Sequence, residues 1–364
     1  MSKNILEIMK NIFINYCTEH HLEYEQKEEG DCIRLDVSSL TEKSIVKLYH
    51  TGKILIQGKK NKLWEELENL KQNIKTDPKK YLDIDLISKI PTHVRYTITT
   101  NRLQDSIKNS LSNLEGILSL DQKPNDSIIY RASITREISK VVLTQYTNGT
   151  LFIQGKTELL FDEVCDNIEK IANPSETEVI VRYISNNEAA LREFSEKDTP
   201  LLQENAKNEV NQKLGGAFNY LDDYNKKQFI VAQCLCNYKL DLPEYSALVM
   251  PASKGFEGFI KKLLIDIQIV PSNHFAGRGA TFSPLTDRKN PKRRNLCNID
   301  KNMETFLNKI NVSLNLYRHF MMHSDPSVLT IINKIEDAIT KVDEIFKDTK
   351  YIFDYFNSLF NWVK

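Results

Sequence analysis

The chain repeats itself. Residues 47–67, KLYHTGKILIQGKKNKLWEEL, align without a gap on residues 144–164, TQYTNGTLFIQGKTELLFDEV, at a constant offset of 97. Tyr49 falls on Tyr146, Gly52 on Gly149, Gln57-Gly58-Lys59 on Gln154-Gly155-Lys156, Leu63-Trp64 on Leu160-Phe161, and Ile74 on Ile171. A repeat of this length confines the first half to two copies of one supersecondary unit. In each copy a β-branched strand (Ser44–Tyr49; Lys140–Tyr146) runs into a glycine turn. Asn148-Gly149 is a strong hairpin signal and Thr51-Gly52 a weaker one. A second strand follows (Lys53–Gln57; Thr150–Gln154), Gly58 or Gly155 ends it, and an amphipathic helix begins. Upstream lie a strand (32–37; 127–134) and a helix (3–20; 101–119). The pattern predicts a curved antiparallel sheet backed by helices, with VIVRYI (179–184) closing the second sheet.

The hairpin and IQGK pattern resembles the repeated half-domain of the TATA-box-binding protein (TBP) fold. That resemblance implies an outer sheet face for nucleic acid or protein. From residue 200 strand signals fade and helical periodicity dominates, with helices expected over 200–220, 224–238, 244–270, 300–323 and 327–362. Pro251 kinks the third or marks its start. The fold class is therefore α+β, with two tandem TBP-like α/β repeats followed by an all-α domain. Boundaries are expected at 1–88, 89–195 and 196–364.

Between the helices, 271–299 reads as a long loop. It ends in a cluster of five cations, Arg288, Lys289, Lys292, Arg293 and Arg294. Such density attracts phosphate, so these are candidate RNA-binding residues; a solvated loop without a ligand is the alternative.

The run YRHFMMHSDP (317–326) holds two histidines four residues apart, a spacing that shares a helix face. A zinc peptidase needs glutamate after the first histidine as general base, and Phe320 stands there. No third ligand is near, so no metal is expected. Arg318 and His323 offer different chemistry. Histidine moves protons near neutral pH, and arginine presents a forked cation to phosphate oxygens. Five residues on a helix is about 500°, so the two side chains point roughly 140° apart. A helix end before Pro326, or a symmetric dimer, is needed to assemble them.

Arg318-x4-His323 resembles the motif of HEPN-domain ribonucleases. Two TBP-like repeats followed by a helical domain with this motif resemble the RNase LS toxin family (RnlA- and LsoA-like) over essentially the whole chain. The resemblance implies an HEPN-like helical domain and a metal-independent endoribonuclease toxin of a toxin–antitoxin system. The resemblance further implies cleavage of mRNA by 2′-OH attack, in anti-phage defence. The implied partners are an mRNA substrate, a second copy of the chain, and a small RnlB-like antitoxin on the helical domain. The family's upstream Arg-x-x-Glu maps onto Lys254 and Glu257, where lysine departs from the pattern. Catalytic candidates are Arg318, His323, Glu257 and Lys254, with no cofactor. The competing expectation is a non-catalytic nucleic-acid- or protein-binding module, with Lys254 as a sign of lost activity.

Bulk properties fit without choosing between these. Forty-nine basic and 49 acidic residues cancel. Six scattered cysteines without a CxxC pair read as reduced thiols of a cytoplasmic protein. The N-terminal segment is amphipathic, and no apolar run is long enough to span a membrane.

Overall fold

The computed structural model describes residues 5–29, 32–39, 41–49, 54–76, 91–98, 101–114, 116–121, 125–136, 139–156, 159–185, 187–197, 199–242, 245–276, 280–321 and 332–362. The Thr51-Gly52 turn, the expected junction at 88–89 and His323 lie outside them.

The first unit runs α1 (Ile5–Glu19), β1 (Glu23–Glu29), β2 (Cys32–Ser38), β3 (Lys43–Tyr49), β4 (Ile54–Gly58) and α2 (Lys62–Thr76). Its antiparallel sheet has the order β1-β2-β3-β4. Burial alternates along β2 and β3 as a one-sided sheet requires. Leu35, Val37, Val46 and Leu48 pack with Met9, Phe13, Leu63 and Leu67 of the two helices. The other face carries a charge ladder. Lys47 binds Glu29 at 2.6 Å, and Arg34 bridges Glu29 at 2.9 Å and Asp36 at 2.6 Å.

The second unit runs β5 (Pro91–Thr97), α3 (Asn101–Leu111), β6 (Ile117–Asp121), β7 (Ile128–Arg136), β8 (Ser139–Tyr146), β9 (Thr150–Lys156) and α4 (Leu159–Ala172). The sheet order is β5-β9-β8-β7-β6. Positions matched by the repeat share burial: Val46 with Leu143, Ile54 with Leu151, Ile56 with Ile153, Leu63 with Leu160 and Leu67 with Val164. The matched glycines differ in use. Gly58 adopts φ +139, whereas a Cβ on Gly155 would lie 3.0 Å from the Phe161 ring. Only Gly58 therefore holds a backbone conformation that a side chain resists.

The helical region comprises α5 (Glu176–Ile184), α6 (Glu188–Glu196), α7 (Thr199–Leu214), α8 (Gly216–Tyr220), α9 (Asp223–Tyr238), α10 (Ser246–Asp266), α11 (Pro291–Ile299), α12 (Met303–Met321) and α13 (Ile335–Phe360). The chain is thus a mixed α+β protein, two antiparallel sheets followed by helices. A single apolar cluster from Val179 to Phe356 joins the helices. No helix among the described residues is long and apolar enough to cross a membrane.

Several sequence expectations are corrected. VIVRYI is not a strand but most of α5. Ser175 caps that helix, and Glu178 reaches back to the Ser175 backbone in a capping box. The predicted helix over 101–119 stops at Leu111, and β6 follows. Residues 271–299 are not all loop. Asn290 accepts hydrogen bonds from the backbones of Lys292 and Arg293, Pro291 occupies the first turn, and α11 results. Helix α10 continues through Pro251.

Candidate active site

A polar cluster fixes the second sheet unit to the helices. Arg182 of α5, its side chain 1% exposed, binds Asp162 at 2.9 Å, Asp166 at 2.7 Å and Glu169 at 2.9 Å, all on α4. The Tyr96 hydroxyl on β5 donates to Glu169 at 2.5 Å, and Gln228 Nε2 on α9 donates to the same carboxylate at 3.1 Å. Buried carboxylates persist only when paired in this way.

Lys254 enters the cluster from α10. Its Nζ lies 2.7 Å from Asp166 Oδ1, with 6% of the side chain exposed. Burial and the nearby Arg182 act to lower its pKa. Asp166, with Tyr183 and Asp162, outweighs them and holds the ammonium above its usual value. Burial acts to raise Asp166, but Lys254 and Arg182 prevail and hold it below the usual carboxylate range. Both groups are therefore charged at neutral pH. Glu257, one turn along, pairs with Lys261 at 2.5 Å.

Lys254 and Glu257 line one cleft of about 1030 Å³, between α4 and the α9–α10 pair. The opposite side of α10 meets α12. Phe256 sits edge-on to Tyr317, ring centroids 5.0 Å apart. Phe256 is about 200° around the helix from Lys254, so Lys254 is directed at α4 and away from α12. Tyr317 is held further by its hydroxyl, which donates to Asp348 at 2.9 Å, an acceptor that Ser313 also binds at 2.7 Å. The backbone at Arg318, the next residue of α12, is thereby fixed. The Arg318 and His319 side chains and all of His323 lie outside the described residues. The structure thus brings Lys254 and Glu257 together and fixes the helix that presents Arg318.

The five-cation cluster divides. Lys289, Lys292 and Arg294 are exposed. Arg288 pairs with Glu304 at 2.9 Å while 79% exposed. Arg293 does not fit the phosphate-binding expectation. It is 3% exposed, and its Nε donates to the Leu285 carbonyl at 2.8 Å, tying α11 to the preceding turn.

Reasoning from sequence missed Asp166, which holds Lys254, and Arg182, which shares that carboxylate, because neither lies in a recognisable motif. It also missed Gly255 and Gly258. A Cβ on Gly255 would lie 2.8 Å from the Phe229 ring, and one on Gly258 would lie 1.9 Å from Asn225 Oδ1. The KGFEG spelling (254–258) held a signal for the latter pair, since glycines three apart on a helix permit close approach of a neighbour.

Residues 202–325 match the family model described as the RNase LS, bacterial toxin DBD domain. The matched stretch contains Lys254, Glu257, Arg318 and His323 and ends at Asp325. No curated protein matches the chain.

Proposed function

We propose, from the match of residues 202–325 to the RNase LS toxin family model, that this protein is a metal-independent endoribonuclease of the HEPN type. It acts as the toxin of a toxin–antitoxin pair in the cytoplasm, cleaving mRNA in anti-phage defence. The observation that carries the proposal is that one family match encloses all four candidate catalytic residues.

RNA carries its own nucleophile. His323 removes the proton from the 2′-OH, the 2′-oxygen forms a bond to phosphorus, and the 5′-oxygen leaves with a proton. No water is consumed, and the products are a 2′,3′-cyclic phosphate and a 5′-hydroxyl. Arg318 stabilises the charge gathering on the non-bridging oxygens. Glu257 orients a partner at the edge of the cleft. Lys254, engaged with Asp166, supplies positive field and holds α10 in place without reaching the phosphate.

The active unit is a homodimer that sets Arg318 and His323 of two copies across a shared groove. Val312 and Leu316 support this, because they are 66% and 47% exposed on the helix that ends in the motif. A small antitoxin on the helical region blocks the groove or its assembly.

Incubation of the protein with mRNA in EDTA tests the proposal. Wild type is expected to cleave, and Arg318→Ala and His323→Ala are each expected to lose about 10²-fold or more. Full activity in His323→Ala removes the proton-transfer assignment. RNA that is bound but left intact favours the non-catalytic module.

A further inference from the structure

The two copies of the repeat carry different charge on the sheet face turned away from their helices. On the first sheet three cations are matched: Lys27 by Asp36 at 3.0 Å, Arg34 by Asp36 at 2.6 Å and Glu29 at 2.9 Å, and Lys47 by Glu29 at 2.6 Å. At the offset of 97, Arg34 falls on Arg131, but Asp36 falls on Ser133 and Lys47 on Thr144. The edge strands differ in the same sense. Strand β1 sets Glu25 opposite Asp36, whereas β6, which holds the same place beside β7, sets Ser119 opposite Ser133. The second copy keeps the arginine without the carboxylate of Asp36.

Val94, Tyr96, Leu151, Ile153, Leu143 and Ala132 turn into the core of the second unit, so strand alternation sends their neighbours outward. One row across the sheet runs Arg95, Phe152, Thr144 and Arg131, and the next runs His93, Gln154, Val142 and Ser133. Lys156 and Lys140 follow two residues further along β9 and β8. His93, Arg95, Arg131, Lys140 and Lys156 are exposed, and none makes an ion pair among the described residues. One carboxylate, Asp121 of β6, stands opposite Arg131 at the sheet edge. Arg95 and Arg131 are three strand spacings apart, ~14 Å. Beside Arg95 the face also holds an aromatic group. The guanidinium lies 5.2 Å from the Phe152 ring centroid and the His93 ring 5.4 Å from it. The first sheet has Leu55 at the position of Phe152.

We propose that this face of the second sheet, and not that of the first, holds single-stranded RNA. Arg95 and Arg131 take phosphates, a base stacks on the His93–Phe152–Arg95 group, and Gln154 and Ser133 meet base edges or 2′-hydroxyls. The identity of the polyanion rests on the ribonuclease reading above. Exposed cations of one sign gain from a polyanion what the first sheet gains from its own carboxylates. Ring and guanidinium planes beside cations on an open sheet are how unpaired bases are held. An acidic protein segment satisfies the cations but has no use for the stacking group. On the first sheet, Glu29 and Asp36 already occupy the cations and repel phosphate.

The test is binding of a fluorescein-labelled RNA oligonucleotide with 2′-O-methyl sugars throughout, which lacks the nucleophile. Full-length wild type, Arg95→Ala, Arg131→Ala, their double variant, Phe152→Leu and Ser133→Asp are compared over a salt series, with Lys62→Ala on α2 as control. Matching thermal melts establish that the variants are folded. Each arginine variant is expected to weaken binding about threefold to tenfold and to reduce the slope of log K against log salt by about 0.7. Phe152→Leu, which installs the residue of the first copy, is expected to weaken binding about fivefold or more with the slope unchanged. Ser133→Asp, which restores the carboxylate of the first copy, is expected to weaken binding as an arginine variant does, and the control to match wild type. Affinity and slope unchanged in the double variant, or no binding by wild type, overturn the proposal even if wild type cleaves RNA. Displacement of the RNA by a polyglutamate peptide of matched charge, as effective as by unlabelled RNA, overturns the choice of RNA over an acidic protein. Weakened binding by a protein that never cleaves RNA leaves the sheet proposal standing and removes the ribonuclease reading instead.

Discussion

A buried ammonium requires a carboxylate, and Lys254 has one in Asp166 at 2.7 Å. Removing Lys254 takes one charge-assisted partner from Asp166 and leaves it Arg182 at 2.7 Å, at a cost of about 1.5–3 kcal/mol. Lys254→Ala is therefore expected to lower unfolding free energy by that amount in urea, and a loss below about 1 kcal/mol contradicts the scaffold role. The pair also sets a pH signature. Asp166 is depressed in the folded state, so its contribution is complete above its unfolded value, near about 4. It is lost as pH falls through the folded value. Asp166→Asn should accordingly flatten the loss of stability below about pH 4; a profile parallel to wild type there contradicts the assignment. The Lys254-x-x-Glu257 spacing was legible in the sequence. Its consequence was not, because the carboxylate that captures Lys254 lies 88 residues upstream, and no local pattern reports such a partner.

Helices α9 and α10 meet where side chains are absent. The Asn225 amide lies over Gly258 so closely that a Cβ there would be 1.9 Å from Oδ1, 2.4 Å from Cγ and 2.5 Å from Nδ2. Gly258→Ala must displace the whole amide and its 2.7 Å bond to Asp222. The expected cost is about 1–3 kcal/mol, read from chemical denaturation, and an unchanged midpoint contradicts the contact. Elements with regular apolar spacing were legible. The strands on either side of the IQGK hairpins and helices α9, α10 and α12 follow from period-two and period-3.6 patterns. The elements that escaped have other causes. Strand β1, EYEQKEE, is a charged edge strand whose exposed face gives no apolar alternation. Helix α5 carries a β-branched run that mimics a strand, and its capping box was the signal that decided. Helix α11 is polar and basic, so only Asn290 and Pro291 announced it.

At the scale of the molecule, the second sheet unit and the helices are joined by the Arg182–Asp166–Lys254 cluster, and the same junction bounds the cleft. The proposed homodimer is expected to close over α12. Val312→Glu with Leu316→Glu should convert the dimer to a monomer in sedimentation and abolish cleavage while leaving helix content intact. A wild-type monomer that cleaves RNA contradicts the composite groove. The internal repeat was the most legible feature of the whole chain, because burial at matched positions is shared between copies. The relation of the second copy to the helices was hidden, since polar side chains far apart in sequence create it. The most direct test of the central claim is end-group mapping of an mRNA fragment incubated in EDTA with wild type and with His323→Ala. The account predicts wild-type fragments ending in a 2′,3′-cyclic phosphate and starting with a 5′-hydroxyl, and intact RNA with His323→Ala. Intact RNA with wild type, or wild-type fragments carrying a 5′-phosphate, would contradict it.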